Sequence, residues 1–422
     1  MTERLFLPAD ILIPKGVYMP TWSVVACDQF TSQPEYWDEA DKNVGVLPST
    51  LRLMLPEAYL NTKDTEFEAK KASENMQEYI NQGVFKIIKD SFIYTERTLA
   101  DGKVRKGLLG ALDLEYYDYS KNSTSPIHAT EGTIEDRLPP RVKVRKDAPL
   151  EMPHIMVFID DIDFSVIEPV AESKQKLSKL YDFELMAEGG HIAGWQISKG
   201  NSDSLLKALD NLSEPAEIKR KYGRDIENPV IYAIGDGNHS LATAKLCWEE
   251  LKPNLSDSEK ENHPARYSLV ELVNIHDDAI SFEPIHRVIF DTDAKEFSEG
   301  AKKFWEGKNK AEGGAHKIRY ITAEEHKDIE VKGLTIGELI GFNDEYLQSY
   351  IKCYGGKIDY IHGDNTCTQM ACGENCAGVL LPKMKKTELF TSVMSSGVFP
   401  KKSFSIGHAE DKRYYLECRK IK

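Results

Sequence analysis

The sequence predicts an α/β protein built on a mixed sheet, with a smaller α+β domain at its C-terminal end. Three observations predict it. Short apolar runs stopped by carboxylates or glycine, HIMVFIDDI at 154–162 and VIYAIG at 230–235, read as buried strands. Amphipathic stretches alternate with such runs, as ATAKLCWEELK does after VIYAIG, where Leu241, Ala244, Lys245, Trp248 and Leu251 recur at helical spacing. The 422 residues also exceed what one compact domain usually needs.

In chain order, EFEAKKASENMQEYINQGVFKII (66–88) carries a helical period, and SFIYTERTL and KGLLGALDLEYYDY read as strands. The stretch 120–149 is rich in Pro, Ser, Thr and charge; within it RLPPRVKVR reads as a solvated edge strand or a cationic strip. KQKLSKLYDFEL and SDSLLKALDNL read as helices, GWQIS as a short strand, and RYSLVELVNI and ISFEPIHRVIF as strands. Beyond about residue 290 the pattern changes. KEFSEGAKKFWEGK is a polar amphipathic helix, HKIRYITAE and KGLTIGELIG read as strands and connectors, and KTELFTSVMSSG is a helix ending on a glycine C-cap. The expected domains are 1–291 and 292–422.

Lys and Arg number 54 against 68 Asp and Glu, a net charge of −14, which argues against a polyanion or an acidic membrane as the main partner. No basic leader precedes an apolar core at the N-terminus, and no apolar run approaches membrane-spanning length, so a cytoplasmic protein is expected. Seven cysteines do not suggest a disulfide framework. Cys367, Cys372 and Cys376 cluster, with His362 as a conceivable fourth ligand, but their spacing is not the paired C-x-x-C of a zinc ribbon, and ordinary thiols are the plainer reading.

The turn between VIYAIG and the following helix concentrates chemistry. A strand feeding a helix through Gly235 and Gly237 is a recipe for anion binding, because the first helical N–H groups lack acceptors and the dipole is positive there. The glycines would let backbone approach a ligand. G-x-G-x-x-S falls short of a dinucleotide fingerprint, and no P-loop motif is present. Asp236, Asn238 and Ser240 are also good N-cap residues, so capping explains much of the composition. His239 is harder to explain by capping, and its place at a helix start favours neutral imidazole.

IGDGNHSLATAK resembles the D-G-H-H-R-Y-x-T-A signature of domain-of-unknown-function family 1015, associated with the ParB/sulfiredoxin-like superfamily of nucleotide-handling proteins. FEPIHRVI is similar to that family's P-T-H-R segment, and HATEGT with Asp136 and Arg137 to its H-E-x-T…D-R segment. ACDQF stands where the family has a P-P-Y-D-V turn, and GVFPKKSFSIGHAEDKRYYLE resembles its closing stretch, so the resemblance spans essentially the whole chain. Asn238 replaces the first His of the signature and Ser240 its Arg. A phosphate clamp must then come from Arg137, Arg141, Lys143, Arg145 or Arg287.

The resemblance implies a ParB/sulfiredoxin-like nucleotide-binding core and phosphoryl transfer from ATP or ADP, with Mg²⁺, to the hydroxyl of a small metabolite, L-serine first. It implies Glu131, Asp236 and His239 as catalytic residues, with Asp236 also a Mg²⁺ ligand. Gly235, Gly237, Asn238, Ser240, Thr133, Arg137, Arg141, His286 and Arg287 would hold the nucleotide. Each has a bland alternative: Glu131 a solvated or capping loop carboxylate, His154 a satisfied core histidine, Asp160 and Asp161 the start of a loop. Lys401, Lys402 and Ser403 are candidates to close over the site. A non-catalytic regulator that binds ATP or CTP shares the same turn and stands as the alternative. Nucleic acid and membrane are not expected partners, and the oligomeric state stays open, a homodimer among the options.

Overall fold

The computed structural model describes residues 4–60, 62–121, 123–310 and 314–422. The chain divides into two compact units. One comprises residues 4–129, 133–280 and 408–422, and the other residues 130–132 and 281–407. The second unit thus begins at Ser281, eleven residues before the expected start at 292, and the strand Phe282–Phe290 pairs wholly with strands of that unit. The last fifteen residues also depart from the expected division by returning to the first unit.

The first unit is a mixed α/β structure on an eleven-stranded sheet. Its long central strands, Phe85–Thr98 and Val104–Asp113, pair antiparallel, and Tyr267–Asn274 joins the second of them. Beyond lies the part that builds the site. Met156–Ile159 runs parallel to Tyr267–Asn274, Tyr232–Asp236 runs antiparallel to Met156–Ile159, and Ile127–Ala129 runs parallel to Tyr232–Asp236. Met156–Ile159 is buried along its whole length, as its unbroken apolar run requires. The C-terminal segment is laced into this unit: Tyr414–Tyr415 pairs with Val24–Val25, and Arg419–Lys420 with Leu150–Glu151.

The second unit is a six-stranded antiparallel sheet with helices, the smaller α+β unit the sequence predicts. Its longest helix, Ile336–Tyr354, corrects the reading of KGLTIGELIG as strand or connector. Thr335 and Glu338 form a reciprocal capping box at its start, which turns that stretch into a helix N-terminus.

Three other expectations give way to local physics. The helix begun at Thr65 stops at Asn81, and after Gly83, with φ at +67°, Phe85 opens a strand. KQKLSKLYDFEL is mostly the strand Ser178–Glu184, which lies at the sheet edge against His191–Ile197. RLPPRVKVR is the helix Leu138–Lys146: the prolines sit in its first turn, where no N–H is needed.

Candidate functional site

Strand register sets the first contacts of the site in the first unit. Because Tyr232–Asp236 is antiparallel to Met156–Ile159, the turn after Asp236 meets the chain entering at His154 and Ile155. Gly237, at φ +79°, is the N-cap of the helix Asn238–Leu251, and among the described residues that helix start has no side-chain cap hydrogen bond. A Cβ on Gly237 would lie 3.0 Å from the Ile155 Cα, and one on Gly235 would meet the Phe158 ring at 2.5 Å. The two glycines therefore seat the turn against the neighbouring strand, and the close approach expected for a ligand is taken by protein.

The side chains expected to cap are engaged elsewhere. Asp236 accepts the Gly237 N–H at 2.9 Å and pairs with the Lys412 ammonium at 2.9 Å. Burial works against its ionisation, but Lys412 outweighs that and holds the carboxyl below the ordinary Asp range. Asn238 is 9% exposed, and its Oδ1 is buried without a hydrogen-bond partner among the described residues. The Thr133 hydroxyl is in the same position. Buried acceptors left this way are rare in folded proteins.

His239 accepts the Ile134 N–H on Nε2 at 3.2 Å, so its proton sits on Nδ1. Burial, then the cations Arg141 and Arg137, push its pKa down to about 4. The imidazole is neutral, as expected from the sequence, though burial is the main cause. Arg141 pairs with Glu57 and donates to the Arg137 carbonyl at 2.7 Å. Burial raises the Glu57 carboxyl, against the lowering by Arg141.

Behind the turn, Ser240 Oγ lies 2.8 Å from His154 Nε2, and His154 Nδ1 lies 3.1 Å from Tyr415 Oη. Tyr415 donates to Cys27 Sγ at 3.1 Å. Burial pushes the Cys27 thiol up to about 12, so it stays protonated. These residues, with Glu57 and Arg141, line a cavity of about 150 Å³ together with Met54, Met76 and Met152.

Glu131, His286 and Arg287 belong to the second unit. Glu131 forms a parallel bridge with Phe399 and accepts the Lys402 N–H. His286 accepts the Leu381 N–H on Nδ1 at 3.1 Å and pairs with Asp364 at 3.0 Å. Arg287 is wholly buried; its guanidinium binds both oxygens of Asp344 and the carbonyls of Ile285 and Lys402. Arg287 and His286, expected as phosphate ligands, are thus engaged with partners of their own unit. Among the described residues no group of three or more His, Cys, Asp or Glu side chains is arranged to hold a metal ion, the Cys367, Cys372 and Cys376 cluster included. Asp236, expected as a Mg²⁺ ligand, is paired with Lys412.

Sequence reasoning missed Lys412, Tyr415, Glu57 and the engaged role of His154. Lys412 and Tyr415 lie in the closing stretch already singled out, and Cys27 in ACDQF, whereas Glu57 carried no signal.

No helix among the described residues is long and apolar enough to cross a membrane. No curated protein matches the chain. Among solved structures, a conserved hypothetical protein from Pyrococcus furiosus is 10% identical, covering 76% of this chain and 97% of its own, at a TM-score of 0.34. A free serine kinase in complex with AMP is 12% identical over 76% of this chain and 93% of its own, at a TM-score of 0.36. SbnI from Staphylococcus aureus, truncated at its C-terminus, is 9% identical over 71% and 82%, at 0.34. These backbone likenesses are too distant to speak for chemistry. The family model described as Protein of unknown function (DUF1015) matches residues 12–345, and the chain belongs to that family.

Proposed function

We propose that this chain binds ATP or ADP by its phosphates at the start of the Asn238–Leu251 helix and transfers a phosphoryl group to the hydroxyl of a small metabolite. The observation that carries the reading is a helix N-terminus without a side-chain cap and, beside it, the nine-tenths buried Asn238 Oδ1, which has no hydrogen-bond partner among the described residues. Phosphate oxygens would accept the first-turn N–H groups, and a ligand hydroxyl or amine would donate to Asn238. Neutral His239 offers its Nδ1–H to a phosphate oxygen, which makes it a donor here rather than a base. Arg137 and Arg141 neutralise charge, Arg141 by exchanging Glu57 for phosphate. Phosphoryl transfer rests on such positioning and charge stabilisation, with little demand for a strong base.

Mg²⁺ is proposed to arrive on the nucleotide. Of the carboxylates of this unit, Asp236 serves through Lys412. L-serine is the acceptor to test first, following the family resemblance. The Asp236–Lys412 pair favours a second reading, a nucleotide-binding regulator without turnover, because it occupies a carboxylate that catalysis would use.

The test is purified protein with Mg²⁺ and ATP or ADP against a panel of small hydroxylated metabolites, read by mass spectrometry, with nucleotide affinity measured calorimetrically. A phosphorylated product supports the kinase reading. Saturable binding without product supports the regulator, and neither result removes the nucleotide from the site.

A further inference from the structure

Ser240 carries a relay that phosphate binding does not require. Tyr415 Oη receives the Cys27 N–H at 3.4 Å and gives its own proton to Cys27 Sγ. Its oxygen is then left to accept from His154, so His154 Nδ1 carries the imidazole proton and Nε2 presents its lone pair to the Ser240 hydroxyl, 2.8 Å away. A serine facing an imidazole lone pair, with the imidazole oriented by a third group, is the arrangement of an activated nucleophile. The same contacts would also satisfy buried polar groups. Two further observations go beyond that: Ser240, His154, Tyr415 and Arg141 share the lining of one cavity, and Asn238, two residues before Ser240, holds a nine-tenths buried acceptor with no partner among the described residues.

The chemistry favours phosphorus over carbon as the electrophile. Tyr415 is neutral, unlike the carboxylate of an acyl-transfer triad, so it orients His154 without supplying a negative charge beside it. A loose phosphoryl transition state asks little of the base and much of nearby cations, which Arg141 and the helix N-terminus supply.

We propose that Ser240 is a covalent phosphoryl carrier, phosphorylated by the nucleotide and discharged to the acceptor. This inference rests on the nucleotide-dependent reading above. In the first step the Ser240 oxygen bonds to the terminal phosphorus, and the bond to the bridging oxygen breaks with its electron pair left on the departing nucleotide. The hydroxyl proton passes to His154 Nε2. In the second step the acceptor hydroxyl oxygen bonds to phosphorus, and the Ser240 oxygen leaves with its pair and retakes the proton from His154. The acceptor proton goes to solvent, the one proton that the net reaction releases.

The experiment needs no known acceptor. Full-length protein with Mg²⁺ is tested for isotope exchange between ADP and ATP, and between AMP and ADP, in the absence of any metabolite, and quenched samples are mapped for phosphoserine. Expected are exchange, phosphate on Ser240, and its return to added ADP or AMP. Ser240→Ala should abolish exchange, and His154→Gln should slow it by about 10²-fold, with nucleotide affinity measured on both variants to establish that they fold. Metabolite phosphorylation without exchange and without phosphate on Ser240 would overturn the carrier and leave the kinase reading intact. Phosphate on Ser240 that the nucleotide cannot reclaim would overturn it as well. Loss of nucleotide binding in the wild type would sink both readings.

Discussion

At the scale of single residues, His239 makes a prediction with a definite sign. An unfolded histidine titrates near 6.5, whereas His239 in the folded chain titrates at about 4. The unfolded state therefore binds that proton more readily. The stability His239 contributes is complete above pH 6.5 and is lost as pH falls from there toward 4. Urea midpoints at pH 7 and pH 5 should fall further for the wild type than for His239→Gln, which keeps an acceptor for the Ile134 N–H. Equal losses would place the titrating group elsewhere. His239→Ala should lower phosphoryl transfer by about 10²-fold, as loss of one preorganised donor does, with folding intact. Lys412 gives a second test. Removing it leaves Asp236 partly buried beside no cation, at a cost of about 1–3 kcal/mol. Lys412→Met combined with Asp236→Asn should be less damaging than the sum of the two, by a coupling of about 0.5–3 kcal/mol in a denaturation cycle.

At the scale of elements, the strand, turn and helix from Tyr232 to Leu251 are held by how the turn lies on its neighbour. Gly237→Ala must place a side chain at φ +79° and within 3.0 Å of the Ile155 Cα, so a loss of about 1–2 kcal/mol is expected from the left-handed backbone alone. Gly235→Ala drives a methyl into the Phe158 ring and should cost about 1–3 kcal/mol by overpacking. Urea unfolding measures both. An unchanged midpoint in either variant would mean that the turn relaxes and the glycine is there for something else. The strand and helix flanking this turn were readable in the sequence, because an apolar run followed by glycines and a 3.6-residue period has few other solutions. The helix Leu138–Lys146 was not: a short cationic stretch with two prolines reads as extended until its prolines are seen to occupy a first turn.

At the scale of the whole molecule, the C-terminal segment closes the first unit through buried charge. Arg413 is 3% exposed and binds Glu271 at 2.9 Å and Glu417 at 2.6 Å, two carboxylates that are themselves buried. Arg413→Met leaves both without this cation and should cost about 3–5 kcal/mol, read as a drop in the urea midpoint of the full chain. A loss below about 1 kcal/mol would show that Arg105, 3.8 Å from Glu271, compensates. The same segment brings Lys412 to Asp236 and Tyr415 to His154, so a change that loosens it should weaken nucleotide binding along with stability.

The sequence by itself determined the mixed α/β class, the smaller second sheet unit, the family, and the strand, turn and helix that carry Asp236 to Ser240. Those features follow from local periodicity, glycine placement and a contiguous motif, all of which one window of sequence contains. Only the tertiary structure decided which side chains surround the turn. His154 reaches Ser240 through antiparallel pairing, Lys412 and Tyr415 through a C-terminal segment that returns across the first unit, and Glu57 through its ion pair with Arg141. It also decided that Arg287 spends its guanidinium inside its own unit, since the partners that saturate a charged group lie far from it in sequence and are set by packing.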